Sequence, residues 1–219
     1  MGNINEIDLL QKDLFNKVNK EYNRVLEIGS KDYGNNQQWR SIIKSKEWIG
    51  VDLEEGKNVD IVADLSKTIS PLQEKSFDFI LCTSVLEHVT KPWIFAKNVE
   101  NLLTDNGEIY ITVPYVWKFH GYPNDYYRYN HKGIQILFEN IEFTDQYFST
   151  YGGYKNYRIT DDKNFERDMR FLTKKVNSNL FPRFYNNRPK PDQGIDFQSP
   201  DCEKAMSYIQ ILMLGKKKG

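Results

Sequence analysis

The chain has 219 residues, enough for one sizeable domain, with 39% apolar and 14% aromatic side chains. Its 30 basic and 30 acidic residues cancel, so no global field draws it toward nucleic acid or an anionic membrane. No apolar run approaches the ~20 residues of a membrane span, and Cys82 and Cys202, the only cysteines, have no metal-ligand spacing. That usage argues against a disulfide framework and for a reducing, cytoplasmic setting. The N-terminus lacks the basic-then-apolar order of a signal peptide. The Lys216-Lys217-Lys218 tail reads as a frayed, solvated end.

In chain order, Ile7, Leu10, Leu14 and Val18 recur at helical spacing and predict an opening amphipathic helix. Arg24 to Ile28 reads as a strand, followed by a helix carrying Trp39, Ile42 and Ile43. Strands are expected at Trp48 to Leu53, Val59 to Ala63 and Phe77 to Cys82. Pro92 suits the first turn of a helix with Val99, Leu102 and Leu103 on one face, which Asn106-Gly107 ends. Glu108 to Val113 is a strand whose continuous apolar character suits burial on both faces. Asn130 caps a helix with Ile134, Leu137 and Phe138 inside. Gln146 to Tyr151 and Met206 to Leu214 are the closing strands. The excursion between them, about 152–204, holds a helix striped by Phe165, Met169, Leu172 and Val176 and a loop from Pro182 to Pro200. Strands alternating with helices predict one α/β domain over 1–219, a doubly wound and mostly parallel sheet covered on both sides.

The first turn, Val25-Leu26-Glu27-Ile28-Gly29-Ser30-Lys31-Asp32-Tyr33-Gly34, separates cofactor classes. A dinucleotide site needs a second glycine two residues after the first, so that backbone can approach the pyrophosphate; Lys31 stands there. A phosphate-cradling loop needs Lys and Ser or Thr after its last glycine; Gly34 is followed by asparagines. What remains suits a cationic ligand without phosphates. Glu27 supplies negative charge, and Gly29 lets the main chain pass beneath a ligand. Asp52, ending the second strand, can accept both hydroxyls of a ribose, and Asp64, ending the third, can accept from an adenine amino group. Leu53 and Leu65 follow these acids. Cys82, Thr83 and Ser84 leave the fourth strand at the same edge, where open α/β sheets bind their ligands. Ser30, Lys31 and Gly34 complete the expected cofactor loop.

These segments resemble the class I S-adenosylmethionine-dependent methyltransferases, in particular the type 11 subgroup. Leu26-Glu27-Ile28-Gly29-Ser30 looks like the first motif of that family. Gly50-Val51-Asp52-Leu53 looks like the second, and Val62-Ala63-Asp64-Leu65 like the adenine-contacting one. Phe77-Asp78-Phe79-Ile80 with Val85-Leu86-Glu87-His88-Val89 is the most specific match, and Gly107 to Pro114 is similar to the strand after the glycine turn. The resemblance runs from about Arg24 to about Phe138. It implies a Rossmann-like, seven-stranded sheet with a reversed last strand, and S-adenosyl-L-methionine as methyl donor. Lys31 departs from the family pattern, which has another glycine there.

After the fifth strand comes an aromatic loop, Pro114 to Tyr129, similar to a stretch in bacterial members linked to sugar modification. Tyr115, Trp117, Tyr122, Tyr126, Tyr127 and Arg128 are the expected substrate contacts. His88, His120 and Asp125 are the expected catalytic groups, either histidine being able to take a proton from an acceptor hydroxyl. His131 is expected at the surface. No Asn/Asp-Pro-Pro-aromatic motif of nucleic-acid amino methylases follows the fourth strand, which favours an oxygen acceptor. The expected partner is a small molecule or glycan, with no nucleic acid, membrane or bound metal. A donor-binding scaffold without catalysis and a nicotinamide-dependent oxidoreductase are the rival readings.

Overall fold

In the computed structural model the described residues are 20–34, 39–117, 119–121, 123–150, 155–167, 169 and 209–219. The expected opening helix and the Pro182 to Pro200 loop lie outside them. The elements are β1 (Tyr22–Ile28), α1 (Trp39–Ile42), β2 (Ser45–Asp52), β3 (Ile61–Val62), β4 (Phe77–Thr83), a 3₁₀ turn (Leu86–His88), α2 (Pro92–Leu102), β5 (Leu103–Val116), α3 (His131–Leu137), β6 (Ile141–Thr150), β7 (Lys155–Arg158) and β8 (Ile209–Lys217).

They form one sheet in the order β3-β2-β1-β4-β5-β8-β6-β7. β1 to β5 pair in parallel, and β8 inserts antiparallel between β5 and β6. This is the expected parallel run with its reversed last strand. Among the described residues the sheet has eight strands rather than seven because the chain folds back as β7, antiparallel to β6, inside the stretch read as excursion.

Alternation along the strands sends side chains to two cores. Leu26, Ile80, Cys82, Ile109 and Ile111 face α2 and α3, meeting Phe95, Val99, Leu102, Ile134 and Phe138. Val25, Phe79, Leu81 and Tyr110 face the other side, meeting Trp39 and Ile43. Each such large apolar side chain, once buried, contributes ~1.5–3 kcal/mol relative to exposure. α2 begins at Pro92, whose missing N–H loses nothing in a first turn. It stops before Asn106, which adopts φ 65° ahead of Gly107, and the β4–β5 register jumps across this bend, from Phe77↔Leu103 to Phe79↔Glu108. Asn130 caps α3 by accepting from the Gly133 N–H at 2.8 Å.

The C-terminal lysines are not a frayed tail. Lys217 ends β8, and its ammonium donates to the carbonyls of Glu100 and Leu103 at 2.8 and 2.9 Å, satisfying acceptors that the end of α2 leaves open. Lys218 reaches the Glu139 carbonyl. His131 is buried rather than at the surface: its ring meets Phe165 edge-on at 4.8 Å, and Nε2 lies 3.2 Å from Asp162. Burial lowers its pKa. Among the described residues no helix is long and apolar enough to cross a membrane.

Candidate functional site

The strand order turns around between β1 and β4, and a crevice opens at the carboxyl ends of strands at such a switch point. A cavity of about 680 Å3 lies there, within the roughly 300–1,000 Å3 of small-molecule sites. One wall comes from the ends of β1, β2 and β3. The other comes from the end of β4, the 3₁₀ turn and the aromatic loop after β5.

On the first wall, Gly29 turns out of β1 with φ 75°, donating from its N–H to the Val51 carbonyl at 2.9 Å. An added Cβ would meet Val85 Cγ2 at 2.6 Å. The glycine is therefore required by its left-handed backbone and by the approach of Val85. Asp52 accepts the Lys31 main-chain N–H at 3.0 Å on one oxygen and those of Leu53 at 2.7 Å and Glu54 at 3.4 Å on the other. Each carboxylate oxygen has about two lone pairs, so Asp52 keeps capacity toward the cavity. Asp64 accepts from the N–H and hydroxyl of Ser66 and from Lys67 at 2.9 Å. Burial alone would raise its pKa, but these donors outweigh it and the net shift is downward. Leu65 is tied to α2, the Asn98 amide donating to its carbonyl at 2.9 Å.

At the end of β4, Ser84 takes φ 52°, an uncommon backbone for a non-glycine residue and frequent at functional sites. It is held by the Thr112 carbonyl at 3.0 Å and by Gln210 of β8, whose amide donates to its hydroxyl at 3.2 Å. Beyond it stands Glu87, its side chain 1% exposed. Neither of its carboxylate oxygens accepts a hydrogen bond from a described residue, and burial pushes its pKa up to about 8. The Glu87 carbonyl takes the N–H groups of Tyr126 and Tyr127 at 2.8 and 3.3 Å, pinning the aromatic loop to the 3₁₀ turn.

His88 Nδ1 lies 2.7 Å from the Asn124 carbonyl, which sets Nδ1 as the donor and turns Nε2 toward Glu87, 3.8 Å away. Burial lowers the His88 pKa, only partly offset by that backbone bond, so the ring is neutral near pH 7. His120 meets His88 edge-on, ring centres 4.9 Å apart, with Nδ1 at 3.1 Å from Asp125 and its main-chain N–H donating to the same carboxylate at 2.9 Å. Arg128 grips Asp125 with both terminal guanidinium nitrogens, Nη1 and Nη2. Burial opposes the Asp125 charge, yet the Arg128 bonds and the His120 N–H hold its pKa down at about 2. An anion that stable is a poor proton acceptor, and Asp125 orients His120 instead.

Of the sequence-expected residues, Gly29, Lys31, Asp52, Leu53, Asp64, Leu65, Thr83, Ser84, His88, Trp117, His120 and Tyr126 line the cavity. Ser30, Gly34, Cys82, Tyr115, Asp125, Tyr127 and Arg128 stand outside its lining, and Tyr122 lies outside the described residues. Glu27, expected beside the ligand, faces the other side of the sheet. It accepts from Trp48 Nε1 at 2.9 Å and lies 3.8 Å from Arg40, and burial raises its pKa. Cys82 points into the core, a buried thiol. Sequence reasoning missed Glu87, Gln210, Tyr33, Ser66 and Lys67. Glu87 stood in a quoted motif and was read only as a signature of the fold. Nothing local marks Gln210, which arrives from β8.

Residues 36–111 match the family model described as a methyltransferase domain. Phosphoethanolamine N-methyltransferase 2 of Haemonchus contortus, held with S-adenosylhomocysteine, superposes with a TM-score of 0.51 at 16% identity over 91% of this chain. The chain has the class I methyltransferase fold. It spans about half of that enzyme, covering 50% of its length. The methyltransferase fold is shared also with the Burkholderia thailandensis 1,6-didemethyltoxoflavin-N1-methyltransferase, bound to its acceptor and S-adenosylhomocysteine, at TM-score 0.55 and 13% identity over 94% of this chain and 75% of that one. The cyclase SpnF superposes at 0.56 with 12% identity, over 98% of this chain and 80% of its own, so the methyltransferase fold by itself does not name a reaction. No curated protein matches the chain in sequence.

Proposed function

We propose that the chain transfers a methyl group from S-adenosylmethionine to a hydroxyl of a small polar acceptor, a sugar or related metabolite. One observation carries this: Asp52 and Asp64, at the ends of neighbouring strands, line the same cavity as His88 and His120 across from them. The residues fit the donor. Asp52 has one lone pair to spare for a ribose hydroxyl and a second engaged only by the long 3.4 Å bond from the Glu54 N–H, Asp64 has one for an amino group, and Leu53, Ala63 and Leu65 offer apolar surface between them. Lys31, in the place of a family glycine, reaches Glu54 at 2.7 Å, and no pyrophosphate needs the closer approach.

The donor brings a methyl carbon already activated by its sulfonium. What remains for this chain is to align the acceptor oxygen and dispose of its proton. His88 is suited to that: neutral, its tautomer set by the Asn124 carbonyl, in the cavity wall. His120, oriented by Asp125, is the second candidate. Trp117 and Tyr126 flank them and give a sugar ring faces to stack on. The oxygen acceptor is favoured over a nucleic-acid amino group because Thr83-Ser84-Val85-Leu86 stands where nucleic-acid amino methylases carry their Asn/Asp-Pro-Pro-aromatic motif. A cytoplasmic setting belongs to the same proposal, on cysteine usage.

The test is turnover. Purified chain is incubated with S-adenosylmethionine and a panel of free sugars, nucleotide sugars and phenolic metabolites, and S-adenosylhomocysteine is quantified by mass spectrometry. Acceptor-dependent product that is lost in His88→Ala or His120→Ala supports the proposal. Donor binding without product from any acceptor would favour the scaffold reading.

A further inference from the structure

The acceptor wall holds a group of side chains that the proton-transfer reading does not use fully. The ligand-capable atoms of Glu87, His88 and His120 lie within 4.8 Å of one another. All three residues line the cavity, and they come from two segments, the 3₁₀ turn and the aromatic loop, that the Glu87 carbonyl ties together. We propose that Glu87, His88 and His120 form a binding site for a divalent first-row metal ion, Zn2+ or a similar cation, which in turn binds the acceptor through its oxygen atoms.

Three features support a cation rather than three independent side chains. The Glu87 carboxyl group is buried, lines the cavity and has no hydrogen-bond partner among the described residues; buried polar groups are ordinarily hydrogen-bonded, and a buried carboxyl ionises when it is paired or ligates a metal. His88 is oriented at Nδ1 by a backbone carbonyl and His120 at Nδ1 by a carboxylate. Metal-bound histidines characteristically carry these partners, which fix the ring and raise its basicity. Two imidazoles and one carboxylate are also the donor set of catalytic zinc sites and of iron sites with open positions. They suit a transition metal better than Mg2+ or Ca2+, which prefer oxygen donors.

Three protein ligands leave coordination positions open toward the cavity. A hydroxyl bound there loses its proton more readily. With both Nε2 atoms on the metal, neither histidine takes the proton, and the chemistry balances without them: the proton leaves to solvent, the oxygen forms a bond to the methyl carbon, and the carbon–sulfur bond breaks, its electron pair returning to sulfur as a neutral thioether. Metal binding stands on the cluster alone, whereas this use of it rests on the methyltransferase reading. It narrows the acceptor class to compounds with two neighbouring oxygens that can chelate, such as a vicinal diol.

The full chain, stripped with a chelator and desalted, is titrated with Zn2+ by calorimetry, with S-adenosylhomocysteine titrated separately into the same preparation. One equivalent of Zn2+ is expected to bind, with affinity at least tenfold weaker in Glu87→Gln and in His120→Ala. Asp125→Asn is expected to weaken it by roughly 10–100-fold as an outer partner. Co2+ on the wild type keeps the test decisive if a variant fails to fold: a visible absorption band of nitrogen and oxygen ligation should appear and vanish when Zn2+ is added. No stoichiometric binding, no Co2+ band, or binding indifferent to Glu87→Gln and His120→Ala overturns the proposal. Zn2+ failing while S-adenosylhomocysteine binds defeats the metal site alone. The converse defeats the donor reading and spares the site.

Discussion

Gly29→Ala tests the geometry of the first wall at its tightest point. Alanine there must hold φ near 75°, a left-handed conformation that costs an L-residue roughly 1–2 kcal/mol. Its Cβ would also sit 2.6 Å from Val85 Cγ2. Val85 is β-branched and stiff at χ1, so it must shift bodily, and overpacking of this kind costs about 1–3 kcal/mol. The sum, about 2–5 kcal/mol, is a large part of the ~5–15 kcal/mol that stabilises a typical domain. Urea denaturation of wild type, Gly29→Ala, Val85→Ala and the double variant separates the two parts. The double variant should be more stable than the summed single losses predict, by the clash component, while the backbone component persists. A Gly29→Ala variant within ~0.5 kcal/mol of wild type, or strictly additive losses, would refute this account of the turn.

Three further outcomes follow from the site and its supports. Arg128→Ala removes the main partner of the buried Asp125 carboxylate, and a loss on the order of 2–3 kcal/mol is expected, below the ~3–5 for a fully buried pair because Arg128 is partly exposed. Calorimetry should find S-adenosylhomocysteine affinity unchanged in that variant while turnover drops, since Asp52 and Asp64 are untouched. For His131, burial sets the folded pKa below the ordinary value. The unfolded chain therefore takes up a proton that the fold refuses, and stability is full above about pH 6.5 and declines as pH falls from there toward the folded pKa. Urea midpoints at pH 7.5 and 5.5 should fall less in His131→Gln than in wild type; equal falls would remove this histidine from the acid response.

The parallel core was legible because its strands are short apolar runs buried on both faces, as Phe77 to Thr83 is. The cavity edge was legible because Asp52 and Asp64 each directly follow such a run and both line the cavity. Glu27 was misplaced although the signal was present. Strand alternation puts Ile28, which lines the cavity, on the same face as Leu26 and Glu27 with Val25 on the other, so an acid one residue before Ile28 faces away from the cavity. β7 was missed because Lys-Asn-Tyr-Arg has no apolar alternation; its pairing is supplied by β6 and not by its own pattern. The C-terminal lysines misled for a related reason. Composition described a solvated tail, whereas tertiary pairing of β8 carries Lys217 to the end of α2. At the acceptor wall, His88 and His120 could be picked out by residue type, but their meeting depends on Tyr126 and Tyr127 bonding to the Glu87 carbonyl, a contact across 39 and 40 residues of chain.

Calorimetric titration of S-adenosylhomocysteine into wild type and Asp52→Ala bears most directly on the whole account. One equivalent should bind the wild type, and Asp52→Ala should bind at least tenfold more weakly, about 1.4 kcal/mol, with an unchanged fold by circular dichroism. Saturable binding of NAD with none of S-adenosylhomocysteine, or equal affinity in both proteins, would contradict it.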